Sequence, residues 1–221
     1  MLNIDGYKYI SDNWYNIKDT DSTESTRMKN MNSLECSDGK YGVDLSRNFG
    51  YQWGYDDTGS SPDPCHSNYR GSSAFSEPET RGLRNLAFSL DVVLYMSYET
   101  GVKRYINPYS YKSGVDYSGR RGWFYFNITN SLDWGYEMGT VHELYGTFEN
   151  GVDIDFFDNT VGSAAINARL KEVNLFEEDL EYGSPITLVE NYDMFKRMVI
   201  QSSNTFATNT IDTVSECLEN C

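Results

Sequence analysis

Residues Gly42 to Thr80 read GVDLSRNFGYQWGYDDTGSSPDPCHSNYRGSSAFSEPET, and three features of this stretch constrain the chain around it. Val43-Asp44-Leu45 is an apolar-acidic strand end that runs into Arg47, an arginine of the buried type. Gly54, Gly59, Ser60, Ser61, Pro62, Asp63 and Pro64 then form a long connection rich in turn residues, the sort that carries function when it is held at both ends. Ser76, with Glu79 three residues later and Pro78 in the first turn, predicts an N-cap at Ser76 and a helix from about Glu77 to Leu90. Proline's missing N–H is no loss at that position.

Outward from this stretch, Asp91 to Tyr98 (DVVLYMSY) is a continuous apolar run with β-branched and aromatic residues. It predicts a buried strand in a sheet covered on both faces. Helix followed by such a strand points to an α/β layer architecture. Leu144 to Glu149 (LYGTFE) has the residues of a further strand. Asp153, Asp155 and Asp158 lack the ligand spacing and glycine of a calcium loop, so they are expected on the solvated surface. Pro185 to Ser202 places Ile186, Val189, Tyr192, Phe195, Met198 and Val199 at helical spacing and predicts a terminal helix packed on the sheet. One domain is expected over residues 1–205, followed by a polar tail, 206–221, that holds Cys217 and Cys221.

A chain of 221 residues suffices for one domain with a sizeable core, or for part of a larger one. Its 18 Tyr, 11 Phe and 4 Trp supply the apolar bulk for that core. The formal charge of −15 opposes phosphate backbones and anionic lipid surfaces, so neither nucleic acid nor a membrane is an expected partner. No apolar run approaches the roughly 20 residues a spanning helix requires. Met1 to Tyr7 reads directly into folded sequence, and no leader peptide is expected in it.

The order of these motifs resembles the zinc metallocarboxypeptidases of the carboxypeptidase A and B type. GVDLSRNF stands against a family wording near GVDLNRNF, followed by Pro64-Cys65, Tyr69-x-Gly71 and Phe75-Ser76-Glu77-Pro78-Glu79-Thr80. Asn3-Ile4-Asp5-Gly6-Tyr7 is similar to an NPDGY turn well inside the family's catalytic domain. The resemblance therefore implies the C-terminal two thirds of that domain, with the segment bearing an H-x-x-E zinc motif lying before it. It also implies a mixed, mostly parallel sheet with helices on both faces.

The same resemblance assigns roles. Arg47 would grip the free carboxylate of a peptide's C-terminus, with Ser46 standing where the family has asparagine. Tyr125, eight residues before Asp133-Trp134, matches the mobile active-site tyrosine. Thr147-Phe148-Glu149 matches the T-x-E segment whose glutamate is the general base; a surface glutamate is the plain alternative. Leu132 falls where the family sets the character of the side-chain pocket and would suit an apolar C-terminal residue. Cys36 and Cys65 match a family disulfide; two buried thiols are the alternative. An extracellular location follows from the same parallel, and Asn127-Ile128-Thr129 is a glycosylation sequon in that setting.

Departures from the pattern bear on the metal. The family's strand ends in H-S-Y, its histidine a zinc ligand; here the triplet is Met96-Ser97-Tyr98, and a thioether is a poor zinc ligand. Arg27-Met28-Lys29-Asn30 stands against W-R-K-N, which puts Met28 on the position of an oxyanion-stabilising arginine unless a one-residue slip lets Arg27 serve. His66 and His142 are the only histidines, and neither lies at a ligand position. The sequence thus predicts no bound zinc and no useful peptide hydrolysis, with the binding of peptide C-termini or of a protein partner as the alternative role.

Overall fold

In the computed structural model the described residues are 8, 12, 29–33, 42–92, 94–101, 104–114, 125 and 137–171. The expected terminal helix, the polar tail with Cys217 and Cys221, the sequon at Asn127, and Cys36, Met28 and Leu132 lie outside them.

Asn48 organises the opening stretch. Its side chain is fully buried, and its Oδ1 accepts the Glu77 N–H at 3.2 Å and the Thr80 hydroxyl at 2.7 Å. Its Nδ2 donates to the carbonyls of Arg70 (2.8 Å) and Ser73 (3.1 Å) and to Ser76 Oγ (2.9 Å). One amide thereby ties the start of a helix to the end of the long loop. That helix, α1, spans Pro78–Ser89, with Pro78 at its first position. The expected cap at Ser76 is corrected to Glu77, which makes no capping bond of its own. Asn48 meets the Glu77 amide from elsewhere in the chain, so the local residues need not.

Lys29 and Asn30 pin the same region from the other side. Lys29, buried, donates to the carbonyls of Pro64 (2.7 Å) and His66 (3.1 Å) and lies over the Tyr69 ring. Asn30 accepts the Val43 N–H and donates to Glu77 Oε2, both at close range (2.9 and 2.8 Å).

Four strands, β1 (Leu94–Gly101), β2 (Arg104–Ile106), β3 (Glu137–Gly139) and β4 (Ala164–Lys171), form a sheet in the order β1-β4-β2-β3. β1 begins three residues later than the apolar run suggested. It stands at the end of that order, and residues 94–99 are half-buried rather than enclosed on both faces. Two short helices follow β3: α2, Val141–Tyr145, and α3, Asp153–Phe156, the latter continuing into a π turn over Phe157–Val161.

α2 overturns the strand expected over Leu144–Glu149. Thr140 and Glu143 form a reciprocal capping box, and Gly146 closes the helix at φ 69°. A T-x-x-E signal outweighs the apolar residues that follow it, and Glu149 sits in irregular chain beyond the helix.

The chain divides into two compact units. The described residues of the first are 8, 12, 29–33, 42–92, 94–97, 106–114 and 139–167; those of the second are 98–101, 104–105, 125, 137–138 and 168–171. The first holds the apolar core: Phe49, Ala87, Ile106, Val141, Val152, Ile154, Phe156, Phe157 and Ala165. Phe156 is its centre, edge-on to Phe75 at 5.1 Å and to Phe157 at 5.5 Å, while Tyr95 stacks flat on Phe157 at 3.7 Å. In the second, Arg104 pairs with Glu137 at 3.1 Å and Arg169 with Glu99 at 3.5 Å.

Candidate functional site

Three of the residues singled out in the sequence meet in the first unit. Leu45–Arg47 is a single 3-10 turn, and Asp44 caps it, its Oδ1 accepting the Ser46 N–H at 3.0 Å. The Ser46 hydroxyl donates to the same oxygen at 2.6 Å. Arg47 Nη1 donates to Ser46 Oγ at 3.2 Å, and Nη2 lies 3.1 Å from Glu149 Oε1. The result is a line of groups, Asp44, Ser46, Arg47, Glu149, in which each side chain orients the next. Burial pushes the Asp44 carboxyl up; the Arg47 charge and the Ser46 hydroxyl act against it.

Glu149 is held through its backbone. Its N–H donates to the Ser110 carbonyl at 2.9 Å, and the Ser110 N–H in turn rests on both oxygens of Asp155, at 3.0 and 2.9 Å. The next residue, Asn150, is locked by Asp56 and by the Ser60 hydroxyl, which donates to its Oδ1. Gly151, at φ +68°, follows; a Cβ there would stand 2.5 Å from the Arg47 carbonyl oxygen. Only a residue without a side chain lets these two segments approach so closely.

The acidic run is a further correction. Asp155 and Asp158 are buried rather than solvated. Asp153 accepts the Tyr95 hydroxyl at 2.8 Å and Asp155 holds Ser110. Both partners come from remote sequence, so no local pattern announces them. Burial is the main reason that the Asp155 carboxyl lies well above the usual carboxylate range, and the neighbouring charges of Asp153 and Asp158 add to it. Beside Ser110, Tyr109 packs at 5.5 Å from Tyr51 and 5.9 Å from Tyr111, and burial foremost pushes its phenol up to about 12.

Tyr125 is buried and belongs to the second unit. Cys65 is held in a disulfide, and its expected partner Cys36 is outside the described residues. Asp44, Asn150, Ser110 and Asp155 were not singled out in the sequence as parts of this site. Asp44 alone carried a readable signal, an acid two residues before a serine, the spacing of an Asx turn.

The family profile described as zinc carboxypeptidase matches residues 1–168. The chain belongs to the zinc carboxypeptidase family. It is 28% identical over 170 residues to mast cell carboxypeptidase A of Homo sapiens, an alignment covering 64% of this chain and 38% of that protein. Over 76 residues it is 33% identical to a protein of Talaromyces marneffei named an inactive metallocarboxypeptidase, covering 32% of this chain and 12% of the relative. The crystal structure of carboxypeptidase A from Helicoverpa armigera superposes with a TM-score of 0.70 at 20% identity, over 94% of this chain and 50% of that one, which establishes the carboxypeptidase-like α/β fold. The chain spans well under two thirds of the length of these relatives.

Zinc is the family's metal, and the described residues do not supply its ligand set. No three His, Cys, Asp or Glu side chains among them group as ligands would. Met96 lies in β1. The exposed ring of His66 accepts the Asn68 N–H, at 3.4 Å, in the Cys65 loop, and His142 stacks on Phe148 at 4.7 Å.

Proposed function

We propose that this zinc carboxypeptidase relative binds the C-terminal carboxylates of peptides or proteins without cutting them. The observation that carries the reading is Arg47, a guanidinium supported by the Ser46 hydroxyl with its side chain still 15% exposed. A planar fork fixed before the ligand arrives is suited to a carboxylate, because its ordering is already paid for. Methionine at the histidine position of β1 supports the loss of hydrolysis, since metal-free Glu149 has little means of polarising a peptide carbonyl. Ser46 is shorter than asparagine and its hydroxyl is engaged with Asp44, which makes it a support for Arg47 rather than a ligand contact. An extracellular setting agrees with the disulfide at Cys65.

Retention of Glu149 and Tyr125 favours the second reading, a working peptidase. One experiment separates the two. The purified protein, dialysed against zinc and then washed, is incubated with an N-blocked peptide ending in a free aromatic residue, and both retained metal and released amino acid are measured. Binding that prefers the free acid over its amide, with no release and no stoichiometric zinc, supports the proposal. Release of the terminal residue together with one retained zinc per chain overturns it.

A further inference from the structure

Arg47 and Glu149 have separate tasks in the family resemblance, one gripping a carboxylate and the other activating water, yet here they are bonded to each other at 3.1 Å. Both side chains are largely enclosed, 15% and 16% exposed. Each is also fixed from behind. Arg47 leans on the Ser46 hydroxyl, which is anchored on buried Asp44, and Glu149 follows a backbone held by Ser110, Asp155 and Asn150. The close approach at Gly151 brings the two segments together independently of either side chain. The pair is therefore part of the built structure and not a chance meeting of two flexible chains.

We propose that Glu149 is an internal counter-ligand: it occupies Arg47 in the free protein, and a peptide's terminal carboxylate binds by taking its place. This rests on the reading of Arg47 as the carboxylate grip. The chemistry is a substitution of like for like. A tethered carboxylate competes at high effective concentration with one arriving from solution, and two carboxylates crowded on one guanidinium in a partly buried place repel each other. A bare carboxylate such as acetate gains nothing by the exchange. A peptide succeeds only when its other contacts offset the lost pair, so Glu149 sets a threshold that rejects small anions and admits chains.

The test titrates an N-acetylated tripeptide ending in phenylalanine, as the free acid and as its amide, against the wild type and the variants Glu149→Gln, Glu149→Ala and Arg47→Gln. Folding of each is verified by circular dichroism. The expected result is a free-acid affinity about tenfold higher or more in both Glu149 variants, unchanged affinity for the amide, and loss of the acid preference in Arg47→Gln. On the wild type alone, the carboxyl carbon resonance of Glu149 should shift on addition of the acid and not of the amide. Glu149 variants that bind the acid no tighter, with the acid preference and its dependence on Arg47 intact, would overturn the counter-ligand while leaving the carboxylate grip standing. Equal binding of acid and amide by every variant would remove the grip itself, and the counter-ligand with it.

Discussion

Asn48 and Gly151 show how much of this structure hangs on single residues. Asn48 satisfies five groups around it, and its replacement by alanine leaves the Glu77 amide, the Thr80 hydroxyl and two carbonyls without that partner inside the protein. Buried polar groups stripped of a partner are expensive, so Asn48→Ala should lower unfolding stability by about 2–4 kcal/mol, read by urea denaturation. A loss under 1 kcal/mol would mean that water replaces the amide readily. Gly151→Ala meets both a left-handed backbone, φ +68°, and the Arg47 carbonyl at 2.5 Å. The expected loss is about 1–3 kcal/mol, and since the shift falls on Arg47 itself, affinity for a free-acid peptide should fall with it. Stability that drops while affinity holds would uncouple Gly151 from the site. Arg47 was legible in the sequence because the family wording surrounds it. Its ion pair was not, for Glu149 lies far along the chain from Arg47 and no local pattern couples them.

At the level of elements, the sequence spoke clearly where the determinant was local and failed where it was remote. Pro78 and the Ser76 to Glu79 capping pattern placed α1, whereas the exact cap depended on Asn48 and slipped by a residue. The T-x-x-E box at Thr140 is a local signal, and it outweighs the apolar and aromatic residues that follow it. Thr140→Ala should therefore destabilise α2 by about 1 kcal/mol, measurable as a shift in the urea midpoint. The burial of the acidic run has no local signature, because it is decided by Tyr95 and Ser110, which the chain brings from elsewhere. Its burial has a pH consequence. The carboxyls of Asp155, Asp153 and Asp44 are all raised above the ordinary value of 3.8 in the folded protein, chiefly by burial. The folded state thus holds protons that the unfolded chain has released, and stability falls as pH rises through the raised folded values. Lowering the pH from neutrality toward the ordinary carboxylate value should raise the urea midpoint, and the gain should be smaller in Asp155→Asn. A midpoint that instead falls steadily over this window would show that the three are held as satisfied carboxylates.

For the molecule as a whole, the deciding quantity is a formal charge of −15, from 33 acidic and 18 basic residues. Self-repulsion of that size works against the folded state and is weakened by salt, because charges farther apart than about 8–10 Å are screened at physiological ionic strength. Salt also weakens ion pairs, so the two effects compete. Several of the pairs present reach far into solvent on at least one side: Lys8–Asp12 has side chains 72% and 58% exposed, and Asp57 of the Arg70 pair is 70% exposed. Pairs of that kind contribute about 0–1 kcal/mol each and have little to lose. Arg47–Glu149 is enclosed and screened far less. Repulsion should therefore win, and the melting temperature should rise between about 20 and about 200 mM sodium chloride. The same addition should leave the acid-over-amide preference of the peptide site nearly unchanged, because that preference is set inside the enclosed pair. A melting temperature that falls with salt would mean that the attractive pairs outweigh the net charge.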